Sequence, residues 1–135
     1  MAVQFSIAIR NARLDVIETT VGESPKLQLR TGAPPANCAA ATSGDLVREI
    51  TLATNWWGAA TNGMKELSSS WVDTNAGQAG VVGHYRLLNS AGTVCHEQGT
   101  VTITGSGGDM TLDNTNVALN QVITITSWTK TDGNA

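Results

Sequence analysis

Residues 107–135 read GGDMTLDNTNVALNQVITITSWTKTDGNA, and this stretch decides the fold class. A short apolar–polar alternation leads into an Asp-Asn-Thr-Asn cluster, and a β-type run follows at residues 121–130. Ile123 and Ile125 share one face of that run, because strand side chains alternate. The opposite face is expected to carry Val122, Thr124, Thr126 and Trp128. The stretch is rich in Thr, Ser and Asn, which indicates a sheet that packs and pairs rather than a catalytic constellation.

Length and composition limit the class of protein. The chain has 135 residues, the size of one ordinary domain with its own core. Hydrophobic residues make up 41% and charged residues only 14%, which excludes a disordered chain. The net charge is −3 without a basic cluster, so binding to nucleic acid is not expected. There is neither a long apolar run nor a basic leader, so we expect a soluble protein made in the cytoplasm, without a membrane partner.

The start of the chain predicts the single helix, at residues 6–21. Ser6 suits the N-cap and Gly22 the first position after the helix. Apolar residues recur at helical spacing, so the core face is expected to be formed by Ile7, Leu14, Ile17 and Val21. A mostly polar face is expected to carry Arg10, Arg13, Asp15 and Glu18. A strand at residues 4–9 is the competing interpretation, because apolar residues also alternate there.

From residue 26 onward the pattern has period two. Before the C-terminal run, strands are predicted at residues 26–30, 46–52, 64–72, 81–88 and 93–103. Asn62-Gly63 is a type I′ hairpin signal, and further turns or loops are expected at residues 31–44, 73–80, 89–92 and 105–109. Seven or eight short strands with brief turns predict a mainly β fold. We expect a two-layer antiparallel β-sandwich, jelly-roll-like, as a single domain over residues 1–135.

No motif for catalysis, cofactor binding or metal binding is present. Cys95 and His96 are adjacent in a predicted strand, so their side chains should leave opposite faces and not share one ion. Cys38 and Cys95 are expected to be free thiols, with a disulfide between them left open. Neither a nucleophile elbow nor a P-loop occurs. We therefore expect no enzyme activity, no cofactor and no metal.

Two features are typical of a protein–protein interface. Trp56 and Trp57 are adjacent, so one indole should enter the core while the other lies at an interface, where tryptophan is enriched. The apolar N-terminal residues Ala2, Val3 and Phe5 have two interpretations: an interface arm that reaches a neighbouring molecule, or a frayed terminus. The four tryptophans leave a carbohydrate- or receptor-binding module as an alternative, since sugars stack on aromatic faces.

Several segments, in order, resemble a family of small virion structural proteins of tailed bacteriophages. Besides residues 107–135, they are RNARLDVI at 10–17, LQLRTGAPPANC at 27–38, REITL at 48–52 and GHYRLLNSAGT at 83–93. The resemblance covers nearly the whole chain, although no single segment is diagnostic.

The resemblance implies a capsid decoration, or cement, protein on a β-sandwich or jelly-roll scaffold. Such a protein would bind the major capsid protein on the outside of the assembled shell, as a homo-oligomer such as a dimer or trimer. Its location would be the capsid surface of the virion. Low charge and polar β faces suit broad contacts that gain strength from many copies. A tail or baseplate component is the structural alternative.

Overall fold

A computed structural model of the chain describes residues 2–67, 71–73 and 77–133. These residues form one α-helix and ten β-strands. In chain order the elements are α1 (Ile7–Val21), β1 (Lys26–Thr31), β2 (Leu46–Thr51), β3 (Met64–Lys65), β4 (Trp71–Asp73), β5 (Gly80–Leu88), β6 (Cys95–Ile103), β7 (Met110–Leu112), β8 (Asn116–Val117), β9 (Ile123–Trp128) and β10 (Lys130–Thr131).

Helix α1 begins and ends where the sequence indicates. The Ser6 hydroxyl accepts a hydrogen bond of 3.3 Å from the Ile9 N–H, as an N-cap does. Gly22 ends the helix with φ 89°, a conformation that favours glycine. The alternative of a strand at residues 4–9 is therefore wrong, because the capping hydroxyl of Ser6 starts a helix there.

The predicted core face of α1 is right at one end and wrong at the other. Leu14 and Val21 are buried, and Ile17 packs against the core while remaining half-buried. Ile7, however, is exposed. The helix therefore meets the hydrophobic core along its C-terminal half only.

The strands form one large sheet and one small ladder. Eight strands follow the order β2-β1-β5-β6-β7-β9-β4, with β8 paired to β5, and β3 pairs separately with β10. The large sheet is nearly closed and barrel-like. A mainly β fold with one N-terminal helix is thus confirmed, whereas a two-layer sandwich or jelly roll is not. The prediction of purely antiparallel pairing is wrong, because β6 and β7 are parallel.

A compact reversal of the chain makes the parallel pairing of β6 and β7 possible. Gly105 and Gly107 have φ values of 88° and 82°, which other residues rarely adopt. The Asp109 carboxylate then accepts hydrogen bonds of 2.9 Å from both the backbone N–H and the hydroxyl of Thr100. The chain is thereby returned alongside β6 within a few residues.

Most predicted strands are found within two residues of their expected ends, as β1, β2, β5 and β6. The Asn62-Gly63 turn is confirmed: both residues have positive φ, and Thr61 and Met64 exchange backbone hydrogen bonds of 2.8 and 2.9 Å. The return strand predicted at residues 64–72 is found only as β3 and β4, and its residues 68–70 lie outside the described residues. Residues 74–76 of the predicted turn also lie outside them.

Stacked indoles fill the centre of the core. The Trp56 and Trp57 rings lie 5.2 Å apart, and both stack on Trp128, at 5.9 and 5.0 Å. Trp71 and Tyr85 contact Trp128 edge-on, at 5.7 and 5.3 Å. These rings connect the segment between β2 and β3 to strands β4, β5 and β9, so the stack joins distant parts of the chain.

A β-bulge turns Trp128 into this stack. Met110 pairs with Trp128, and Leu112 pairs with Ile125, so β9 advances three residues while β7 advances two. Thr126 is the extra residue, and one extra residue reverses the alternation of side chains. Trp128 therefore lies on the inner face with the isoleucines of β9, and the expectation that it lies opposite them is wrong.

Replacing Trp57 with alanine should destabilise the fold by about 3–5 kcal/mol, because it removes a fully buried indole from the centre of the stack. Trp71→Ala is the matched control: this half-buried indole contacts the stack edge-on, and its loss should cost about 1–2 kcal/mol. Urea denaturation followed by circular dichroism measures both values. Equal losses for the two variants would contradict a central role for the stacked rings.

Candidate interaction surface on the N-terminal helix

The Lys65 ammonium anchors α1 to the body of the protein. Its side chain is only 1% exposed. Its Nζ donates to the Asp15 carboxylate at 2.8 Å and to the Gly58 carbonyl at 2.7 Å, and it pairs with the Glu18 carboxylate at 2.9 Å. The Trp57 ring centre lies 5.7 Å away. Because a buried cation must be paired, the carboxylates of α1 have to face β3.

The pKa values of these groups show that the contact is ionic. The hydrogen bond from Lys65 lowers the pKa of Asp15 below its ordinary 3.8, although burial acts in the opposite direction. For Lys65, burial lowers the pKa, but the bonds to Asp15 and Glu18 outweigh it and raise the pKa above its ordinary 10.5. Both groups are therefore charged throughout the neutral range.

A second set of polar contacts holds the first half of α1. Arg10 Nε donates to the Asp132 carbonyl at 2.5 Å, and Arg13 Nε pairs with the Asp132 carboxylate at 3.1 Å. The Gly63 N–H donates to the Asn11 side chain at 2.8 Å. The helix is thus fixed at both ends by side chains that point toward the body.

These contacts correct the predicted polar face of α1. Arg10, Asp15 and Glu18 were expected on the face away from the core, yet all three contact the body of the protein. Sequence periodicity assumes that the surface beneath a helix is apolar. Here that surface also presents a buried ammonium and free backbone groups, so charged residues are the ones that fit it.

An apolar stripe is left on the outer side of α1. Ile9, Ala12 and Val16 recur at helical spacing, and Phe5 precedes Ile9 by four residues. Phe5, Ile9 and Val16 are 40%, 48% and 59% exposed, and Ala12 is exposed as well. The guanidinium of Arg13 lies over the Phe5 ring at 5.2 Å. We call Phe5, Ile9, Ala12 and Val16 the outer stripe.

The predicted interface residues have two different outcomes. Ala2, Val3 and Phe5 are all exposed, and Val3 continues the apolar surface ahead of the outer stripe. Trp56 and Trp57 are both 2% exposed, so the expectation of one outward indole is wrong. The pair lies in an irregular segment instead of a strand, so side-chain alternation does not apply and both rings turn inward.

Sequence reasoning missed both the anchor and most of the stripe. Ile9, Ala12 and Val16 are spaced by 3 and 4 residues within α1, and this spacing of a helix–helix seam is visible in the sequence. Lys65 gave no such signal, because a lysine in a strand next to a turn is usually solvated.

A second polar cluster ties strands together. The Tyr85 hydroxyl donates to the Glu97 carboxylate, to which Trp128 Nε1 also donates at 3.1 Å. Lys130 pairs with Glu97 at 2.5 Å. Burial and the neighbouring Glu97 raise the pKa of Tyr85. Every group bonds another member of the cluster, which links β5, β6, β9 and β10.

Cys95 is half-buried and His96 is exposed, as expected for neighbours on one strand. Within residues 2–67, 71–73 and 77–133, no three His, Cys, Asp or Glu side chains are grouped so that they could hold a metal ion. In the same part of the chain, no helix has both the length and the apolar character needed to cross a membrane.

The larger of two described cavities, about 670 Å³, lies between α1 and the segment before β3. Its lining includes Asp15, Glu18 and Lys65, whose charges already pair with one another. A smaller cavity of about 300 Å³ lies beside Trp56 and Trp71. Because Asp15, Glu18 and Lys65 already pair with one another, the larger cavity does not offer a free charge from any of these three residues.

Comparison with known proteins adds no relative: no protein-family model matches the chain, and neither a curated protein nor a solved structure matches it significantly.

Replacing Asp15 with asparagine should lower the free energy of unfolding by about 0.5–1 kcal/mol at pH 7, a modest loss because this carboxylate is 49% exposed. The pKa of Asp15 is lowered in the folded state, so its contribution is present above about pH 4 and is lost as the pH falls through the folded-state pKa. Urea titrations at pH 7 and pH 3 should show a smaller difference between variant and parent at pH 3.

Asp45→Asn is the control, because Asp45 is exposed and its carboxylate forms no ion pair with Lys65. If Asp15→Asn lowers the free energy of unfolding equally at both pH values, the shape of the side chain and not its charge accounts for the loss.

Proposed function

We propose that the chain is a structural virion protein that decorates and stabilises the outside of a phage capsid as a homo-oligomer. The observation that carries this proposal is the outer stripe, an apolar surface on a helix that is rigidly fixed to the body. The resemblance of the sequence to small phage virion proteins suggests the capsid as the place of action. It also implies a sandwich or jelly-roll scaffold, and the barrel-like sheet would be a variant of that scaffold.

The outer stripe suits association with a second copy. Within α1, the spacing of Ile9, Ala12 and Val16 places these side chains on one side of the helix, as in a helix–helix seam, and Phe5 lies just ahead of its N-terminus. Apolar surface in water is costly, and covering it with the same stripe of another copy would remove it from solvent on both molecules. Because ion pairs hold α1 on its other side, pairing would require no rearrangement of the helix.

The rest of the surface suits many weak contacts with a shell. Only 14% of the residues are charged, so repulsion between neighbouring copies is small. An oligomer contacts several capsid subunits at once, and each additional contact multiplies the apparent affinity. Ala2 and Val3, which lie exposed ahead of the stripe, would extend the contact to the major capsid protein or to a neighbouring copy.

Two alternatives use different surfaces or locations. A tail or baseplate component would use the same stripe, and labelling of intact particles with an antibody separates it from a head protein.

Sugar binding would need an exposed aromatic face. Trp56, Trp57 and Trp128 are all buried, and among the described residues Trp71 alone of the tryptophans is partly exposed. That alternative therefore has little support from the indoles.

Placing charges in the stripe should abolish self-association. The double variant Ile9→Asp and Val16→Asp puts two carboxylates into the proposed seam, and we expect the dissociation constant of the oligomer to rise at least about 10-fold, or about 1.4 kcal/mol. Light scattering after size-exclusion chromatography measures the oligomer. Sedimentation with capsids that lack the protein measures binding, which should fall in parallel.

Leu119→Asp is the matched control, because Leu119 is 63% exposed but lies far along the chain, after β8. This variant should assemble and bind like the parent. If the parent protein is monomeric at high concentration, self-association through the outer stripe is refuted. If it forms an oligomer that does not bind capsids, the capsid role alone is refuted.

A further inference from the structure

A loop at residues 32–44 is held against the outer face of β5 and β6. The guanidinium of Arg86 donates from Nη2 to the Cys38 carbonyl at 2.7 Å. Gln98, which pairs with Arg86 across the two strands, donates from Nε2 to the Pro35 carbonyl at 2.6 Å. Two neighbouring side chains of the sheet therefore fix the position of the loop that carries Cys38.

A bulge in β6 turns Cys95 toward this loop. Consecutive residues of β5, Leu87 and Leu88, pair with Glu97 and Cys95, so His96 is the extra residue of the bulge. In a strand without this bulge, Cys95 and Glu97 would lie on the same face of the sheet. Glu97 points toward Tyr85, away from the loop. The bulge places Cys95 on the loop-covered side instead.

The two thiols are neighbours in space. Arg86 contacts both cysteines, since its Nη2 reaches the Cys38 carbonyl and its Nε lies 3.3 Å from the Cys95 sulfur. Cys95 also lies close enough to Cys38 to raise the pKa of the Cys38 thiol. Both cysteines are free and only partly buried, so a small reagent can reach them.

We propose that Cys38 and Cys95 are a disulfide site that closes by exchange with a low-molecular-weight disulfide such as oxidised glutathione. The Cys95 thiolate attacks one glutathione sulfur, which forms a mixed disulfide and releases the first glutathione. The Cys38 thiolate then attacks the Cys95 sulfur and displaces the second. The protein loses two electrons and two protons, and both protons pass to the released glutathione thiolates.

The surroundings of the two sulfurs set this order. Arg86 Nε donates to the Cys95 sulfur at 3.3 Å, and the attacking form of a cysteine in such an exchange is the thiolate. Burial, together with Cys95, raises the pKa of Cys38 to about 11; nearby Glu97 adds to the rise and Arg86 opposes it. Cys38 is therefore mostly protonated at neutral pH, so closure of the bond is the slow step and accelerates as the pH rises.

The disulfide would tie the loop at residues 32–44 to β6. A chain made in a reducing compartment would carry the dithiol, and the bond would form after release into an oxidising medium. Closing the long stretch between Cys38 and Cys95 restricts the unfolded chain and should raise the melting temperature by about 10 °C. The cross-link is a property of the isolated chain and does not depend on the proposed virion role.

The test treats the reduced, folded protein with oxidised glutathione at several pH values and follows it by intact mass spectrometry and thiol titration in denaturant. We expect the parent to lose both thiols, to retain no glutathione, and to close faster at pH 9 than at pH 7. Cys38→Ser should stop at a mixed disulfide on Cys95. Cys95→Ser should react more slowly, because its remaining thiol is the one with the raised pKa.

Three results would overturn the proposal: both thiols surviving in the parent, glutathione remaining on either cysteine of the parent, or cross-linked dimers on a non-reducing gel. Each is read on the parent protein, so the conclusion holds even if a serine variant folds poorly. Failure of the cross-link would leave self-association through the outer stripe unaffected.

Discussion

A buried charge holds the C-terminal half of α1 against the body of the protein. The Lys65 ammonium is excluded from water and finds its partners in the Gly58 carbonyl and in Asp15 and Glu18 of α1. Removing any partner leaves a buried cation underpaired, so the helix and the segment before β3 are held together. The same ammonium lies over Trp57, which couples the helix to the indole stack beneath it. With its carboxylates committed inward, α1 has to present its other side, the outer stripe, to solvent.

Two β-bulges have comparable consequences on opposite faces of the sheet. The extra residue Thr126 in β9 brings Trp128 into the core, where it completes the indole stack. The extra residue His96 in β6 brings Cys95 out of register with Glu97 and against the loop that carries Cys38. In each case one inserted residue redirects a side chain that strict alternation would have placed on the other face. The first bulge serves packing, and the second creates a site where chemistry can occur.

The described part of the chain has a closed interior and exposed apolar side chains, among them those of the outer stripe. Polar groups of the interior are largely paired, as in the cluster of Tyr85, Glu97 and Lys130 and in the buried ion pair of Arg48 with Asp73. In the proposed structural role, the outer stripe and the exposed residues ahead of it would supply contact area that gains strength from copy number. The proposed disulfide would strengthen the fold after assembly.

The sequence by itself determined the local structure. Helical spacing with Ser6 and Gly22 at its ends defined α1, and the Asn62-Gly63 pair and period-two runs defined the turn and most strands, because these signals depend on neighbours in the chain. The tertiary structure alone decided which face of α1 is buried, where Trp56, Trp57 and Trp128 point, that β6 and β7 are parallel, and that Cys38 meets Cys95. The buried face of α1 depends on the buried Lys65, and the directions of Trp128 and Cys95 depend on two bulges. Periodicity carries no information about such features, because it assumes an apolar surface beneath a helix and an unbroken alternation along a strand.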